Sequence, residues 1–194
     1  MSENNPNWSE HHQQTIKLPP SPLLIDALTH LRSGLRAIDI GGGGLRDTKY
    51  LLEKGFDVTV IDIEPKIVNE AKKLFSNMAK GISTSFADFP FPLEEFDIAN
   101  AMYALPFNPP DTFDMVFANI KKSLKKGGIF CGQFFGIKDE WSSSINMSFH
   151  TKEQVESLLE GMEIISLEEV EKDATLANKE PHHWHVFHVI ARKV

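Results

Sequence analysis

A predicted strand over 35–40 runs into four consecutive glycines, Gly41, Gly42, Gly43 and Gly44, and the chain then resumes as a helix over 46–54. Without side chains the backbone can turn sharply there and come close to a bound group. The free N–H groups in the first turn of the following helix would face that group. The next predicted strand, 57–62, has the β-branched run of an interior strand covered on both faces and ends on Asp62, 21 residues after Gly41. An acid at that place can grip a pair of ribose hydroxyls. Strand, glycines, helix and acid together describe an adenosine-type site at the carboxyl edge of a sheet. A nicotinamide site of the Rossmann type needs Gly-x-Gly-x-x-Gly, and here the third place is Arg46. Asp39 also stands two residues before Gly41, where a dinucleotide-binding strand is apolar. A carboxylate buried there needs a donor, and an amino-acid ammonium would satisfy it.

Around this motif the chain alternates. A polar arm over 1–20 ends in Pro19-Pro20-Ser21-Pro22, so the folded domain is expected over 21–194, beginning with a helix over 22–32. Pro65 opens a helix with Ile67, Val68, Ala71, Leu74, Phe75 and Met78 at helical spacing. Further strands are predicted over 82–86, 96–101 and 128–135, with a helix over 111–124 between the last two. A helix over 151–159 with Thr151 as N-cap follows, and strands over 162–171 and 183–193 close the chain. Strands alternating with helices imply one mostly parallel sheet with helices on both faces.

The segment Ala37-Ile38-Asp39-Ile40-Gly41-Gly42-Gly43-Gly44 resembles the first motif of class I S-adenosylmethionine-dependent methyltransferases. Asp62 matches the acid of their second motif, Ala87-Asp88-Phe89 their adenine-contacting segment, and Phe96-Asp97-Ile98-Ala99-Asn100 their fourth strand. Leu124-Lys125-Lys126-Gly127-Gly128 is similar to their turn before strand five. Leu45-Arg46-Asp47, Tyr103-Ala104-Leu105-Pro106-Phe107, Gly132-Gln133-Phe134-Phe135-Gly136, Phe149-His150-Thr151 and the tail His183-Trp184-His185-Val186-Phe187 narrow the resemblance to bacterial enzymes grouped loosely with tellurite-resistance methyltransferases. The resemblance implies a Rossmann-like, doubly wound α/β fold with a seven-stranded sheet whose last strand is antiparallel. It also implies S-adenosylmethionine as cofactor and S-adenosylhomocysteine as product. Asp39 would then approach the methionine amino group beside Gly41 and Gly43, with Gly42 between them. Asp62 would hold the ribose, Ile63 would pack on adenine, and Asp88 with the Phe89 backbone would meet the adenine amino group. Asn100 would lie near the methionine part, and Arg46 could reach its carboxylate. Many members have a glycine where this chain has Leu45, so a crowded helix entry is expected.

Methyl transfer from a sulfonium needs alignment and desolvation but no proton for the leaving group, so no catalytic dyad is required and no catalytic residue is assigned. Tyr103, His150 and His183 are candidates for a substrate pocket, with His185 as a further possible base. A metal site in 181–188 is not expected, because alternation puts His183 and His185 on one strand face and His182 and His188 on the other. Cys131 reads as a buried, inert thiol.

With Lys+Arg 20 against Asp+Glu 27, the net charge of −7 disfavours nucleic-acid and anionic membrane partners and leaves a small-molecule substrate, a metalloid being one possibility. No apolar stretch approaches the roughly 18 residues that span a bilayer, and 1–14 lacks a secretory pattern. With the single cysteine, this fits a reducing cytoplasm. A non-catalytic module that binds S-adenosylmethionine stays open beside the nicotinamide-dependent oxidoreductase, and oligomeric state is not read from the sequence.

Overall fold

The computed structural model describes residues 18–75, 79–176 and 179–194. Most of the predicted arm, residues 1–17, lies outside them, as does Met78. Among the described residues five α-helices, α1 (Pro22–Thr29), α2 (Arg46–Glu53), α3 (Pro65–Phe75), α4 (Pro110–Ser123) and α5 (Lys152–Leu158), pack on one sheet. Its strands are β1 (Arg36–Ile40), β2 (Asp57–Asp62), β3 (Ala79–Ser83), β4 (Phe96–Ala101), β5 (Leu124–Gly136), β6 (Phe149–His150), β7 (Met162–Thr175) and β8 (Pro181–Lys193).

The sheet runs β3-β2-β1-β4-β5-β8-β7, seven strands as expected, with the two-residue β6 added beside the end of β5. The pairs β1–β2, β2–β3, β1–β4 and β4–β5 are parallel, while β8 is antiparallel to both β5 and β7. Each face has its own core. Leu24, Ala27, Leu51, Ile67 and Ala71 of α1, α2 and α3 cover Val58, Val60, Ile98, Ile129 and Ile190. Phe113, Phe117 and Ile120 of α4, with Val155 of α5, cover Ile38, Ala99, Phe130, Phe134 and Phe187 on the other side. This two-sided burial is why β1, β2 and β4 are nearly continuous apolar runs.

Several boundaries differ from the sequence reading: the first helix ends at Thr29 and β5 starts at Leu124, and two further differences have a visible cause. Strand β3 begins at Ala79, three residues before its predicted start, because Gly81 opens no gap in the strand. A Cβ there would stand 3.0 Å from Cγ1 of Val68, so the glycine lets α3 lie close on the sheet. The β7–β8 hairpin runs on through Thr175 and Pro181, since an exposed edge pair tolerates polar residues and a proline at its first position. In α3, Ile67, Val68 and Ala71 are buried as predicted, but Leu74 is 54% exposed.

Candidate functional site

Parallel pairing sets Asp39 level with Asn100, and Asn100 level with Cys131, on the face covered by α1, α2 and α3. Asp39 is 2% exposed and fully engaged. Asn100 Nδ2 donates to its Oδ1 at 2.8 Å, and the Thr48 hydroxyl, from the first turns of α2, donates to its Oδ2. Cys131 Sγ lies 3.5 Å from the Asn100 carbonyl and holds that amide's orientation. Burial, joined by the charges of Asp47 and Asp62, raises the Asp39 pKa to about 6 despite these hydrogen bonds. Burial likewise pushes the Cys131 thiol well up, as an inert thiol requires.

The glycine loop closes over this row. Gly41 N–H donates to Ile61 O at 2.8 Å, and Gly43 N–H donates to Asp62 Oδ2 at 3.0 Å. The other Asp62 oxygen accepts from Glu64 N–H at 2.9 Å, so the acid ties the loop to the start of α3. Gly41 has φ +69°, and a Cβ there would sit 2.6 Å from that of Ala104. A Cβ on Gly42 would stand 2.5 Å from Val60 Cγ1. Leu45 does not crowd the helix entry. It adopts φ +59° and buries its side chain to 1% exposure, anchoring α2 to the core. Arg46 pairs with Asp47 at 3.3 Å, and Asp47 also accepts the Ser21 N–H at 2.8 Å, fastening the segment before α1 to the loop.

On the adenine side, Ile63 is exposed and Asp88 accepts a 2.7 Å bond from the Ser85 hydroxyl. The Phe89 ring is buried against Phe91, and its N–H donates to Ser85 O at 3.2 Å. The sequence-predicted cofactor residues therefore gather at the carboxyl ends of β1, β2 and β4 and in the loop after β3.

Of the substrate-pocket candidates, only Tyr103 joins them. It directly precedes Ala104, which abuts Gly41, and the Arg46 charge acts on its hydroxyl against the upward push of burial on its pKa. Its backbone has φ +52°, rare for a bulky residue, and its N–H donates to Gln133 Oε1 at 2.8 Å. The structure places His150 on the other side of the sheet, against Phe113 and Phe134, with its ring centroid 4.5 Å from that of Phe113. Its Nδ1 is buried without a partner, and burial pushes the ring pKa down to about 4. Strand alternation takes His183 to that side too, where it meets Asp173 at 2.7 Å and Glu171 at 3.5 Å. His185, on the same strand face, is buried and held by Glu169 at 2.9 Å.

Sequence reasoning did not bring Trp184, Trp141 or His188 to Tyr103. Trp184 lies 6.0 Å from it by ring centroids, Phe135 6.3 Å and His188 6.4 Å, and Trp141 lies 5.8 Å from Trp184. Even numbering of Trp184 and His188 on one strand was a usable signal. Trp141, in the loop after β5, had none. Among the described residues no group of three or more His, Cys, Asp or Glu could hold a metal ion, and no helix is long and apolar enough to cross a membrane.

Residues 37–128 match the family model of a methyltransferase domain. An uncharacterized methyltransferase of Synechocystis sp. is 31% identical over 97 residues, 50% of this chain and 45% of that protein, so the match spans under half of that relative's length. Three solved structures share the fold at low identity. TehB from Haemophilus influenzae superposes with a TM-score of 0.74 at 18% identity, covering 88% of this chain and 61% of that one. The Burkholderia thailandensis 1,6-didemethyltoxoflavin-N1-methyltransferase, solved with that compound and S-adenosylhomocysteine, gives 0.69 at 20% identity over 96% and 84%. The N-methyltransferase NodS of Bradyrhizobium japonicum, solved with S-adenosylhomocysteine, gives 0.65 at 17% over 97% and 99%. Strand order and the match over residues 37–128 give this chain a methyltransferase-type domain with the class I fold.

Proposed function

We propose that the protein transfers a methyl group from S-adenosylmethionine to a small-molecule acceptor in the cytoplasm. The observation that carries this is the acid cradle. Asp39 is buried beside Asp47 and Asp62, so its ionisation is opposed by burial and by two like charges. A cation seated there relieves all three costs. The methionine ammonium would sit against Asp39 and the ribose against Asp62, with the Gly41–Gly43 backbone packed closely on Ala104 and Val60 so that the loop holds its turn. Arg46 would meet the methionine carboxylate, Asn100 would line the methionine part, and Ile63, Asp88 and Phe89 the adenine. When bound, the cofactor supplies an activated methyl whose departure leaves the bonding pair on sulfur and requires no acid. The chain's own part is alignment and water exclusion at the ends of β1 and β4.

Calorimetry with S-adenosylmethionine, S-adenosylhomocysteine and NAD in parallel tests the reading. Micromolar binding of the first two without the third is expected, weakening about tenfold per pH unit below about 6 as Asp39 takes up a proton. Binding of NAD alone would overturn it. Cofactor binding without turnover across an acceptor screen would instead make the protein a ligand-sensing module. Distant likeness to an enzyme named for a small-molecule substrate supports such a screen over nucleic-acid substrates, as does the net charge of −7.

A further inference from the structure

The face that holds Asp39, Asn100 and Cys131 continues toward the carboxyl end of β5 as Gln133 and Phe135, and their partners on β8 are His188 and Val186. There the chemistry changes from carboxylates to rings. Tyr103 is 42% exposed, and Trp184 and Trp141 are half-buried, while Phe135 behind them is 1% exposed. Ring centroids of 6.0 Å for Tyr103–Trp184, 5.8 Å for Trp184–Trp141 and 6.2 Å for Trp141–Phe135, tilted or edge-on, make a continuous wall. Each part of it is held from behind. Gln133 receives the Tyr103 N–H and fixes its strained backbone. Asp139, 1% exposed, accepts the Trp141 N–H at 3.1 Å and meets His182 Nε2 at 3.0 Å, and the His182 ring lies 4.4 Å from both indoles.

We infer that this wall of Tyr103, Trp184 and Trp141 binds the methyl acceptor, and that the acceptor is a neutral, flat aromatic compound bearing a nitrogen, oxygen or sulfur lone pair. The inference rests on the proposed methyl transfer and narrows its substrate class. Three amphipathic rings left in water beside a cofactor cradle suit a planar partner that covers them by offset or edge contact. A cationic acceptor would be repelled by the sulfonium next to it, and an anionic one by Asp39, Asp47 and Asp62. The carboxylate of Asp139 is 1% exposed and accepts from Trp141, His182 and the His185 N–H, so it orders the wall without touching a ligand. Backbone strain at Tyr103, kept by Gln133, points the same way, because such strain persists where geometry matters to function.

The test uses the whole protein saturated with S-adenosylhomocysteine, so that no turnover is needed, and follows tryptophan fluorescence and calorimetry with quinoline and 1-naphthol against cyclohexanol. Both aromatic probes should bind at least tenfold tighter than cyclohexanol. Trp184→Ala should weaken them at least tenfold and Trp184→Phe by less, with the affinity for S-adenosylhomocysteine unchanged within twofold. Tyr103→Leu serves as an independent second variant if Trp184→Ala does not fold. Equal binding of aromatic and aliphatic probes, or aromatic binding indifferent to Trp184 and Tyr103, overturns the inference while leaving the cofactor reading intact. Failure of S-adenosylhomocysteine to bind overturns the cofactor reading instead. Aromatic probes that still bind the wall in that case would remove methyl transfer but support the wall as an aromatic-binding surface.

Discussion

The two halves of the sheet's carboxyl edge are built from opposite materials. At β1, β2 and β4 the chain buries carboxylates, each supplied with donors: Thr48 and Asn100 for Asp39, and the Gly43 and Glu64 amides for Asp62. At β4, β5 and β8 it exposes rings and hides an acid that orders them, Asp139. In the first half the stored cost is electrostatic and a cationic ligand removes it. In the second the cost is wetted aromatic surface, which a flat apolar ligand removes. A cofactor that is a cation and an acceptor that is a neutral ring would each find the half that needs it.

The largest expected effect breaks the aromatic half alone. Asp139→Ala leaves buried His182 and the Trp141 and His185 amides without their acceptor. It should cost about 3–5 kcal/mol in denaturant unfolding, with cofactor affinity unchanged wherever the variant is folded. Loss of cofactor binding at full folding would show that the halves are one unit. Asp62→Ala acts on the other half. It removes the proposed ribose contact and the tie between the glycine loop and α3, so cofactor affinity should fall by about 1–3 kcal/mol, roughly five- to 150-fold by calorimetry. Unchanged affinity would sink the assignment of Asp62.

The halves also differ in how far the sequence reveals them. Asp39, the glycines and Asp62 lie within one strand–loop–helix–strand unit, so fixed spacing reports their shared place. The rings of Tyr103, Trp141 and Trp184 come from three separate segments, and only the pairing of β5 with both β4 and β8 brings them together. His150 shows the converse error. Its place after β5 suggested the pocket, yet β6 pairs Gly136 with His150 and sends the ring to the α4 face, beside Phe113. Leu45 was read as an intruder because the side chain was weighed against the loop alone. The core beneath α2, which takes that side chain, is a tertiary fact.

The smallest net effect is the most diagnostic, because two groups on opposite faces oppose each other. Asp39 has its pKa raised from 3.8 to about 6, so between those values the native state holds the extra proton and stability falls as pH rises. His150 has its pKa lowered from 6.5 to about 4, so over that window the unfolded state holds the extra proton and stability rises with pH. Each is worth about 3 kcal/mol across its window at 1.36 kcal/mol per unit, with opposite signs, and between pH 4 and 6 their sum should stay within about 1 kcal/mol. Single variants uncover the two limbs. Asp39→Asn should be more stable than the parent at pH 7 and lose that advantage on acidification, as the His150 limb acts unopposed. His150→Phe, which removes an unpartnered buried nitrogen between two phenylalanine rings, should instead gain stability as pH falls from 6 to 4. Denaturant midpoints at pH 4, 5, 6 and 7 for the three proteins measure both slopes. If the two variants showed slopes of the same sign relative to the parent, the cradle would not be storing the electrostatic cost that a bound cation is proposed to relieve.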